Sequence, residues 1–314
     1  MHPAPEPSKV VAVVVNWNGG DDNLLCLESL QAQEPALERI VFVDNGSVDG
    51  SAEQVARRFP AVDLLRNETN LGFGAGANRG IAAALQTEAD AVLLVNNDVT
   101  LPEGTLARLL EALDGHPEAG LVGPRVLYRS EPGRVWAAGG RLTWRQNLTT
   151  LLGHGRPDGE RWQRTMRVDY LTGCAMLVRR EVFERVGGFD ADFFAYSEDV
   201  DLALRAARAG LGSLLVGSAA ALHAPSSSTG GGYGARRKYM MGVNSIWFLR
   251  RWGGPGQWLR FFVFDLATLP LVALLALPRG RLPGVCGKAL GIWDGLRGRR
   301  VTAQRLAPGA TWLW

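Results

Sequence analysis

Cysteine is scarce in this sequence of 314 residues, which has only Cys26, Cys174 and Cys286. The three are far apart and form no Cys-x-x-Cys pair, so neither a zinc ribbon nor a disulfide framework is supported. This usage indicates a reducing compartment. The N-terminal residues also lack a basic segment followed by an apolar stretch, so we expect no secretory leader.

Acidic residues are nearly absent from the C-terminal part of the chain. Residues 235–314 contain 13 basic and 2 acidic residues, whereas the preceding residues contain 21 basic and 29 acidic ones. Six of the ten tryptophans also lie at or after Trp247. The overall net charge of +3 hides this division, which points to a nucleic-acid or membrane surface beneath the C-terminal part.

Long hydrophobic runs are absent except for one, Phe261 to Leu277, and this run contains Asp265 and Pro270. Seventeen residues are at the lower limit for a membrane-spanning helix, and a carboxylate inside a membrane is costly. We therefore predict an interfacial or re-entrant segment, with a buried C-terminal helix pair as the alternative. Apolar residues beside the basic ones favour lipid over nucleic acid, so no nucleic-acid partner is expected.

The first 130 residues alternate between short apolar runs and segments of helical character. Apolar runs begin at Val10, Ile40, Val62 and Ala91, and helical segments cover about 21–33, 50–59, 74–86 and 102–113. Apolar runs without alternation are typical of strands buried on both faces. The rhythm predicts an α/β fold with a doubly wound, mostly parallel sheet and helices on both faces. Residues Thr100 to Glu103 and Ser197 are expected to cap two helices.

Polar clusters follow the predicted strands, at the edge where such sheets bind ligands. The best of them is Asn96-Asn97-Asp98, and carboxylate and amide oxygens suit Mg²⁺ or Mn²⁺. Asp98 is the predicted metal ligand, with a simple turn cap as the alternative. His223 could complete a Mn²⁺ shell, although a lone histidine is more often structural.

Three carboxylates lie close together in Glu198-Asp199-Val200-Asp201. A helix N-terminus favours their ionised forms, while their mutual repulsion raises at least one pKa. One of them could accept the proton of a hydroxyl nucleophile, and a solvated helix cap is the alternative.

A glycine-rich turn, Gly72-x-Gly74-x-Gly76, invites a dinucleotide-binding interpretation. The third glycine of that motif would fall at Ala77, and the turn does not follow the first strand, so a dehydrogenase is excluded. Such a turn can still approach a phosphate closely.

Seven motifs in order resemble one family, the family 2 glycosyltransferases with the GT-A fold, particularly their rhamnosyltransferase-like branch. The motifs are Val13 to Asn18, Val43 to Ser51, Asn70 to Phe73 with Asn78, Asn96 to Asp98, Gly187 to Asp190, Glu198 to Asp201, and His223. The resemblance covers about residues 9–225. It implies an inverting transfer from a nucleoside-diphosphate sugar.

The resemblance also implies roles for individual residues. The nucleotide-sugar site is expected to contain Asn16, Asp44, Asn45, Asn70, Gly72, Asn78, Asn96 and Asn97. The remaining roles fall to Asp98 and His223 for the metal, Asp199 with Glu198 for catalysis, and Gly173 with Cys174 for the acceptor side. The family's metal motif is usually Asp-x-Asp, and Asn96 replaces its first aspartate, which weakens this part of the match.

Processive members of the family carry Gln-x-x-Arg-Trp and long membrane helices. Here Arg251-Trp252 is present, but Phe248 replaces the glutamine. We therefore expect addition of one or a few sugars, with dTDP-L-rhamnose as the first candidate donor and Mn²⁺ or Mg²⁺ as cofactor. The expected acceptor is a glycan or polyprenyl-diphosphate-linked sugar of cell-envelope polysaccharide synthesis.

Two alternatives stay open: a UDP- or GDP-sugar transferase for exopolysaccharide or a small acceptor, and a non-catalytic sugar-nucleotide-binding scaffold. The expected organisation is a disordered tail over 1–8, a GT-A domain over 9–234, and a basic, Trp-rich helical extension over 235–314. We expect the protein in the cytoplasm, peripheral on the inner face of the membrane. A homodimer is left open.

Overall fold

The computed structural model describes residues 8–145, 147–225 and 234–314. The predicted disordered tail over 1–8 and the Ser/Gly-rich stretch over 225–234 lie almost wholly outside the described residues.

The N-terminal half of the structure alternates strands and helices as the sequence predicts. The strands are β1 (Val10–Asn16), β2 (Arg39–Asp44), β3 (Asp63–Arg66) and β4 (Ala91–Asn96), and the helices are α1 (Asp22–Gln31), α2 (Ser51–Arg58), α3 (Phe73–Ala84) and α4 (Thr105–Gly115). All four strands pair in parallel, with β1 between β2 and β4. Their carboxyl ends therefore share one edge of the sheet.

Further strands follow β4 along the chain. They are β5 (Val99–Thr100), β6 (Ala119–Tyr128), β7 (Glu131–Ala137), β8 (Gly140–Leu142), β9 (Thr149–Leu151), β10 (Met166–Val168), β11 (Ala175–Arg179) and β12 (Gly212–His223), with helices α5 (Arg180–Val186) and α6 (Glu198–Arg208) between the last two. Strands β8 and β9 pair with each other as a separate small sheet, and the others extend the main sheet, whose strand order is β10-β12-β6-β11-β4-β1-β2-β3 with β5 beside β12 and β7 beside β6. Strand β11 is antiparallel to both of its neighbours, so its N-terminal end meets the carboxyl end of β4.

Both faces of the sheet are buried. In β1, Ala12 and Val14 face the layer of α1 and α4, whereas Val11 and Val13 face the layer of α3. Successive side chains of a strand point to opposite faces, so a run of valines and alanines supplies both cores. The predicted α/β class, with helices on both faces of a mostly parallel sheet, is confirmed.

Of the two predicted helix caps, Thr100 is wrong, whereas Ser197 occupies the predicted N-cap position of α6. Helix α4 begins at Thr105 after Gly104, whose φ is +72°, while Thr100 belongs to β5 and pairs with Leu222. Ser197 precedes α6, but its φ is +77° and, in the part of the chain described, its side chain forms no capping hydrogen bond. Long-range pairing and a left-handed turn thus replace local capping at these two positions.

After the sheet, the described residues 234–314 contain five α-helices: α7 (Ala235–Trp252), α8 (Pro255–Phe261), α9 (Leu269–Ala276), α10 (Leu282–Leu296) and α11 (Ala303–Leu306). Helices α7 and α10 lie in close backbone contact. A Cβ atom at Gly242 would lie 2.5 Å from the Lys288 carbonyl oxygen, and one at Gly291 would clash with that of Tyr239. Glycine is therefore required where these two helices touch.

Residues 255–279 form one helical segment that is long and apolar enough to cross a membrane, by length and composition alone. An 18-residue window within it has a mean hydropathy of 2.1, and its outer face exposes Leu259, Phe262, Leu271, Leu274 and Leu275. This 25-residue segment is longer than the apolar run recognised in the sequence.

The carboxylate within the apolar segment points into the protein. Asp265 is 1% exposed, accepts a hydrogen bond from the Asn147 backbone at 3.0 Å and pairs with the Lys288 ammonium. Its charge is therefore compensated inside the protein and does not interrupt the outer apolar face. The cost of exposing a carboxylate to the membrane, which the sequence led us to expect, does not arise.

Candidate active site

The carboxyl edge of the parallel strands carries a network of amide side chains around Asn16. Asn16 is fully buried at the end of β1, and its Nδ2 donates to Asp44 Oδ1 at 3.0 Å and Ser51 Oγ at 2.9 Å. Its Oδ1 accepts from Asn97 Nδ2 at 3.0 Å. One asparagine thus joins the ends of β1, β2 and β4, and it holds Asp44 and Asn97 in fixed positions.

A second amide, Asn45, holds the glycine-rich turn. Its Nδ2 donates to Asn70 Oδ1 at 3.1 Å and to the Gly72 carbonyl at 3.0 Å, and its Oδ1 accepts from the Leu71 backbone. Gly72 has a φ of +87°, and a Cβ atom there would collide with Phe194. The turn therefore requires glycine and lies against the segment that leads to α6.

Asp98 and His223 are 125 positions apart in the sequence and meet at the same edge. Their Oδ1 and Nε2 atoms are 3.3 Å apart, and both residues are buried. The contact follows from the pairing of β5 with β12, which places His223 opposite Val99. Trp136 packs edge-on against the His223 ring at a centroid distance of 4.4 Å. Sequence reasoning did not assign this tryptophan, because only the β6–β7 pairing brings it to the site.

These two residues fit a divalent cation. His223 Nδ1 and, beside the pair, Asn96 Oδ1 are buried atoms that lack a hydrogen-bond partner among the described residues. One carboxylate and one imidazole suit Mn²⁺, whose other positions are commonly filled by substrate phosphates and water. The described residues contain no group of three or more His, Cys, Asp or Glu side chains arranged for a metal.

The backbone of two consecutive residues, Gly173 and Cys174, connects Asp199 to this edge of the sheet. The Gly173 N–H donates to Asp199 Oδ2 at 3.1 Å, and the Cys174 carbonyl accepts from the Asn96 N–H at 2.9 Å. Two consecutive residues before β11 thus connect the end of β4 to the start of α6. The Cys174 thiol is buried, which raises its pKa to about 12, so it is not a thiolate nucleophile near neutral pH.

Burial perturbs both carboxyl groups at the start of α6. Burial and the charge of Asp199 raise the pKa of Glu198 to about 8. Burial also raises the pKa of Asp199, while the N–H groups of Gly173 and Val200 oppose this shift. Glu198 Oε2 is buried without a hydrogen-bond partner in the described chain. Of the two, Asp199 is half-buried and held by backbone donors, which suits it to receive a proton.

The segment before α6 is strained and held from two sides. Phe194, Tyr196 and Ser197 all have positive φ angles, which are unfavourable for residues other than glycine. The Asn78 side chain exchanges two hydrogen bonds of 2.8 Å with the Phe189 backbone. These bonds attach α3, to which Asn78 belongs, to the residues that precede that segment. The contact of Asn78 with a nucleotide stays a prediction.

Asn244 of α7 holds the other side of this segment. The residue is fully buried, and its Nδ2 lies 2.8 Å from the Phe193 carbonyl and 2.7 Å from those of Ala195 and Tyr196. Sequence reasoning missed it, since an asparagine within a helix has no distinguishing local pattern.

Asp201 connects α6 to the C-terminal helices. This carboxylate is 0% exposed and accepts hydrogen bonds from Arg205 Nε at 2.8 Å and Trp252 Nε1 at 2.9 Å. Arg251 Nε lies 3.1 Å away and its guanidinium also contacts Asp190 at 2.5 Å. The Arg-Trp pair noted in the sequence therefore binds the same helix that carries Glu198 and Asp199.

Comparison with known proteins agrees with this geometry. Residues 12–187 match the family model described as glycosyl transferase family 2. An N-acetylglucosaminyl-diphospho-decaprenol L-rhamnosyltransferase of Mycobacterium tuberculosis is 35% identical over 240 residues, covering 70% of this chain and 77% of that protein. The rhamnosyltransferase WbbL of Escherichia coli K12 is 26% identical, covering 64% of this chain and 78% of its own.

Two solved structures share the fold. A mannosyltransferase from Pyrobaculum calidifontis, in complex with GDP-Man and Mn²⁺, has a TM-score of 0.59 at 18% identity and covers 94% of this chain and 90% of its own. GalNAc-T7 with UDP, GalNAc and Mn²⁺ has a TM-score of 0.57 at 13% identity, covering 77% and 51%. The expected GT-A fold and the resemblance to rhamnosyltransferases are thereby confirmed. The chain belongs to glycosyl transferase family 2 and is a glycosyltransferase.

Proposed function

We propose that this glycosyltransferase transfers a sugar, with L-rhamnose from dTDP-L-rhamnose as the first candidate, to a hydroxyl group of a polyprenyl-diphosphate-linked acceptor in cell-envelope polysaccharide synthesis. The transfer inverts the anomeric centre and depends on Mn²⁺ or Mg²⁺. The relatives whose names specify rhamnosyl transfer, one of them on a decaprenol-linked sugar, support the choice of donor and acceptor.

One observation carries the proposal. The adjacent residues Gly173 and Cys174 bind the Asp199 carboxylate and the Asn96 backbone, respectively. They therefore connect the edge that bears Asp98 to the carboxylate suited to proton transfer. A donor sugar bound at the edge that bears Asp98 would therefore meet an acceptor hydroxyl beside Asp199.

In the proposed reaction, Asp199 accepts the proton of the acceptor hydroxyl as its oxygen forms a bond to the anomeric carbon. The bond from that carbon to the diphosphate oxygen breaks on the opposite face, and the electron pair leaves with the nucleoside diphosphate. A single displacement of this kind inverts the centre and needs no covalent intermediate on the protein.

The metal and nucleotide contacts follow from the same edge. A divalent cation held by Asp98 and His223 would neutralise the charge that develops on the leaving diphosphate. Asp44 and Asn45, which are held by Asn16 and by the glycine-rich turn, would bind the base and ribose. Gly72 lets the backbone approach the ligand because no Cβ atom occupies that position.

We also propose that the exposed face of residues 255–279 rests on the cytoplasmic leaflet of the membrane. The Asp265–Lys288 pair attaches one side of this helix to the protein, which favours a helix that lies along the membrane over one that crosses it. Basic residues near both ends, Arg260 and Arg279 among them, suit anionic headgroups.

The first test is calorimetric titration of dTDP, UDP and GDP, each with and without Mn²⁺. We expect dTDP to bind only when Mn²⁺ is present. We expect the variant Asp98→Ala to lose this metal-dependent binding. If only UDP or only GDP bound, the sugar donor carrying that nucleotide would replace dTDP-L-rhamnose in the proposal. If none of the three bound with Mn²⁺ present, the catalytic proposal would fail and a scaffold role would take its place.

The second test is the variant Asp199→Asn. Loss of the base is expected to lower kcat by about 10²- to 10⁴-fold while nucleotide affinity stays unchanged. Asp192→Asn is the matched control, because Asp192 is an exposed carboxylate seven positions earlier that pairs with Arg300. Full activity of Asp199→Asn would refute the assignment of the base.

A further inference from the structure

Arg129 lies at the same edge of the sheet as Asp98 and His223, although the sequence motifs did not single it out. It directly follows β6, and its backbone N–H donates to the His223 carbonyl at 2.7 Å. Tyr128, the last residue of β6, pairs with His223 across the sheet. The side chain of Arg129 therefore starts at the carboxyl edge, where His223 approaches Asp98.

The guanidinium of Arg129 is held at the first turn of α1. It forms an ion pair with Asp22, the first residue of that helix. The next residue, Asn23, accepts a hydrogen bond from Asn97 Nδ2 at 3.0 Å. Because Asn97 directly follows β4, the first turn of α1 holds the guanidinium beside the end of that strand.

The buried thiol of Cys26 supports this arrangement through its electrostatic surroundings. Its Sγ lies 3.5 Å from the Asn96 carbonyl oxygen. Burial raises the pKa of this thiol, the charges of Asp98 and Asp22 add to the rise, and Arg129 opposes it. The cation and both carboxylates therefore act on one atom at the end of β4, which means that they lie close to one another.

One nitrogen of the Arg129 guanidinium has no acceptor. Asp22 binds Nη2, whereas Nη1 is buried and forms no hydrogen bond within the part of the chain that the structure describes. A buried N–H group without an acceptor is costly. The side chain is 25% exposed, so a ligand can approach the guanidinium from the solvent side. Arginine presents its N–H groups as a rigid fork that matches phosphate oxygens, so a phosphate is the ligand that best supplies the missing acceptor.

We propose that Arg129 binds the diphosphate group of the sugar nucleotide, next to the divalent cation that Asp98 and His223 would hold. This inference rests on the proposed function, in which that diphosphate is the leaving group. The guanidinium would neutralise part of the charge that develops on the diphosphate oxygens as the bond to the anomeric carbon breaks. Asp22 is a positioning residue in this arrangement, because it holds the guanidinium and does not touch the ligand.

The experiment measures the binding of inorganic pyrophosphate to the full chain by calorimetry, with Mn²⁺ and again with Mg²⁺. Arg129→Gln removes the cation, and Arg129→Lys keeps the charge without the fork. Asp22→Asn breaks the same ion pair but leaves the guanidinium in place. Arg39→Gln is the matched control, because Arg39 is a half-exposed arginine that pairs with Asp63 and begins β2 at the opposite edge of the sheet.

We expect Arg129→Gln to weaken pyrophosphate binding by about ten-fold or more, the loss expected for one hydrogen bond between charged groups. Arg129→Lys should weaken it less, since an ammonium retains the charge as a single point. Asp22→Asn and Arg39→Gln should bind pyrophosphate at least as tightly as the wild-type chain does. For Asp22→Asn the reason is that a negative charge near the ligand is removed.

Two results would overturn the proposal. Equal weakening in Arg129→Gln and Asp22→Asn would show that the ion pair only maintains the shape of this edge. Unchanged binding by Arg129→Gln would show that the guanidinium does not contact the ligand. If Arg129→Gln does not fold, the same comparison is made between Arg129→Lys and Asp22→Asn.

Failure of this inference can be told apart from failure of the proposed function. Pyrophosphate has no base and no sugar, so its binding does not depend on which nucleotide carries the donor sugar. The calorimetric panel of dTDP, UDP and GDP tests the donor on the wild-type chain, without reference to Arg129. If a nucleotide bound in that panel but the wild-type chain bound no pyrophosphate with either cation, the inference would fail and the proposed function would stand.

Discussion

Asp201 offers a quantitative test of how the C-terminal helices support the carboxylates of α6. Replacing it with asparagine removes the charge that Arg205 and Arg251 face, and keeps the shape of the side chain. Removing one partner from a buried ion pair costs about 3–5 kcal/mol, because the other charge stays buried without compensation. Asp201 is 0% exposed and Arg205 only 14%, so this range applies.

Asp192→Asn is the control variant that shows how much of the loss in unfolding free energy is due to burial of the ion pair. Its carboxylate also pairs with an arginine, Arg300, but the two side chains are 57% and 35% exposed. Exposed pairs contribute about 0–1 kcal/mol, so this variant should unfold almost as the wild type does. Arg251→Met should fall between the two, since Asp201 then keeps Arg205 and Trp252.

The measurement is urea unfolding followed by far-ultraviolet circular dichroism, with the free energy of unfolding extrapolated linearly to water. We expect Asp201→Asn to lower that free energy by at least about 2 kcal/mol relative to Asp192→Asn. Equal values for the two variants would refute the reasoning, because burial would then not determine the strength of the contact.

Three further predictions concern the start of α6 and the helices behind it. Because folded Glu198 keeps its proton up to about pH 8 while the unfolded chain releases it near 4.5, stability without metal should fall as the pH rises between these values, by up to about 1.4 kcal/mol per unit. Glu198→Gln should flatten the melting temperature over that window, and an unchanged slope would count against the raised pKa. Asn244→Ala should lower kcat by about 10- to 100-fold with a smaller change in nucleotide affinity, since it releases the segment before the proposed catalytic carboxylates; equal losses in kcat and affinity would contradict this positioning role. Gly291→Val should lower the melting temperature because its side chain would clash with the Tyr239 carbonyl, and a wild-type melting curve would show that α7 and α10 can separate there at little cost.

The sequence predicted the parallel half of the fold well, because its determinants are local. Runs such as Val10 to Val15 are buried on both faces, and the polar residues after them, Asn16 and Asp98 among them, reach one edge in any parallel sheet. The approach of His223 to Asp98 was also anticipated, although by resemblance to a family and not by spacing. The structure supplied the contact that supports it, the pairing of β5 with β12.

Features that depend on distant contacts could not be predicted. Thr100 looked like a helix cap, but it belongs to a strand whose partner is Leu222. Asp265 looked like a defect in an apolar helix, because its partner Lys288 is 23 positions away and on another helix. Trp136 and Asn244 had no recognisable local pattern, and only the packing of β7 and α7 gives them a place at the site.

The reversed direction of β11 has a consequence for how specificity can change. A strand antiparallel to β4 brings the residues before it, Gly173 and Cys174, to the edge reached by the residues after β1, β2 and β4. Under the proposed function, contacts with the donor and with the acceptor are thereby encoded in separate stretches of the gene. Recombination that exchanged the stretch preceding β11 could give a new acceptor preference to an enzyme that keeps its old donor.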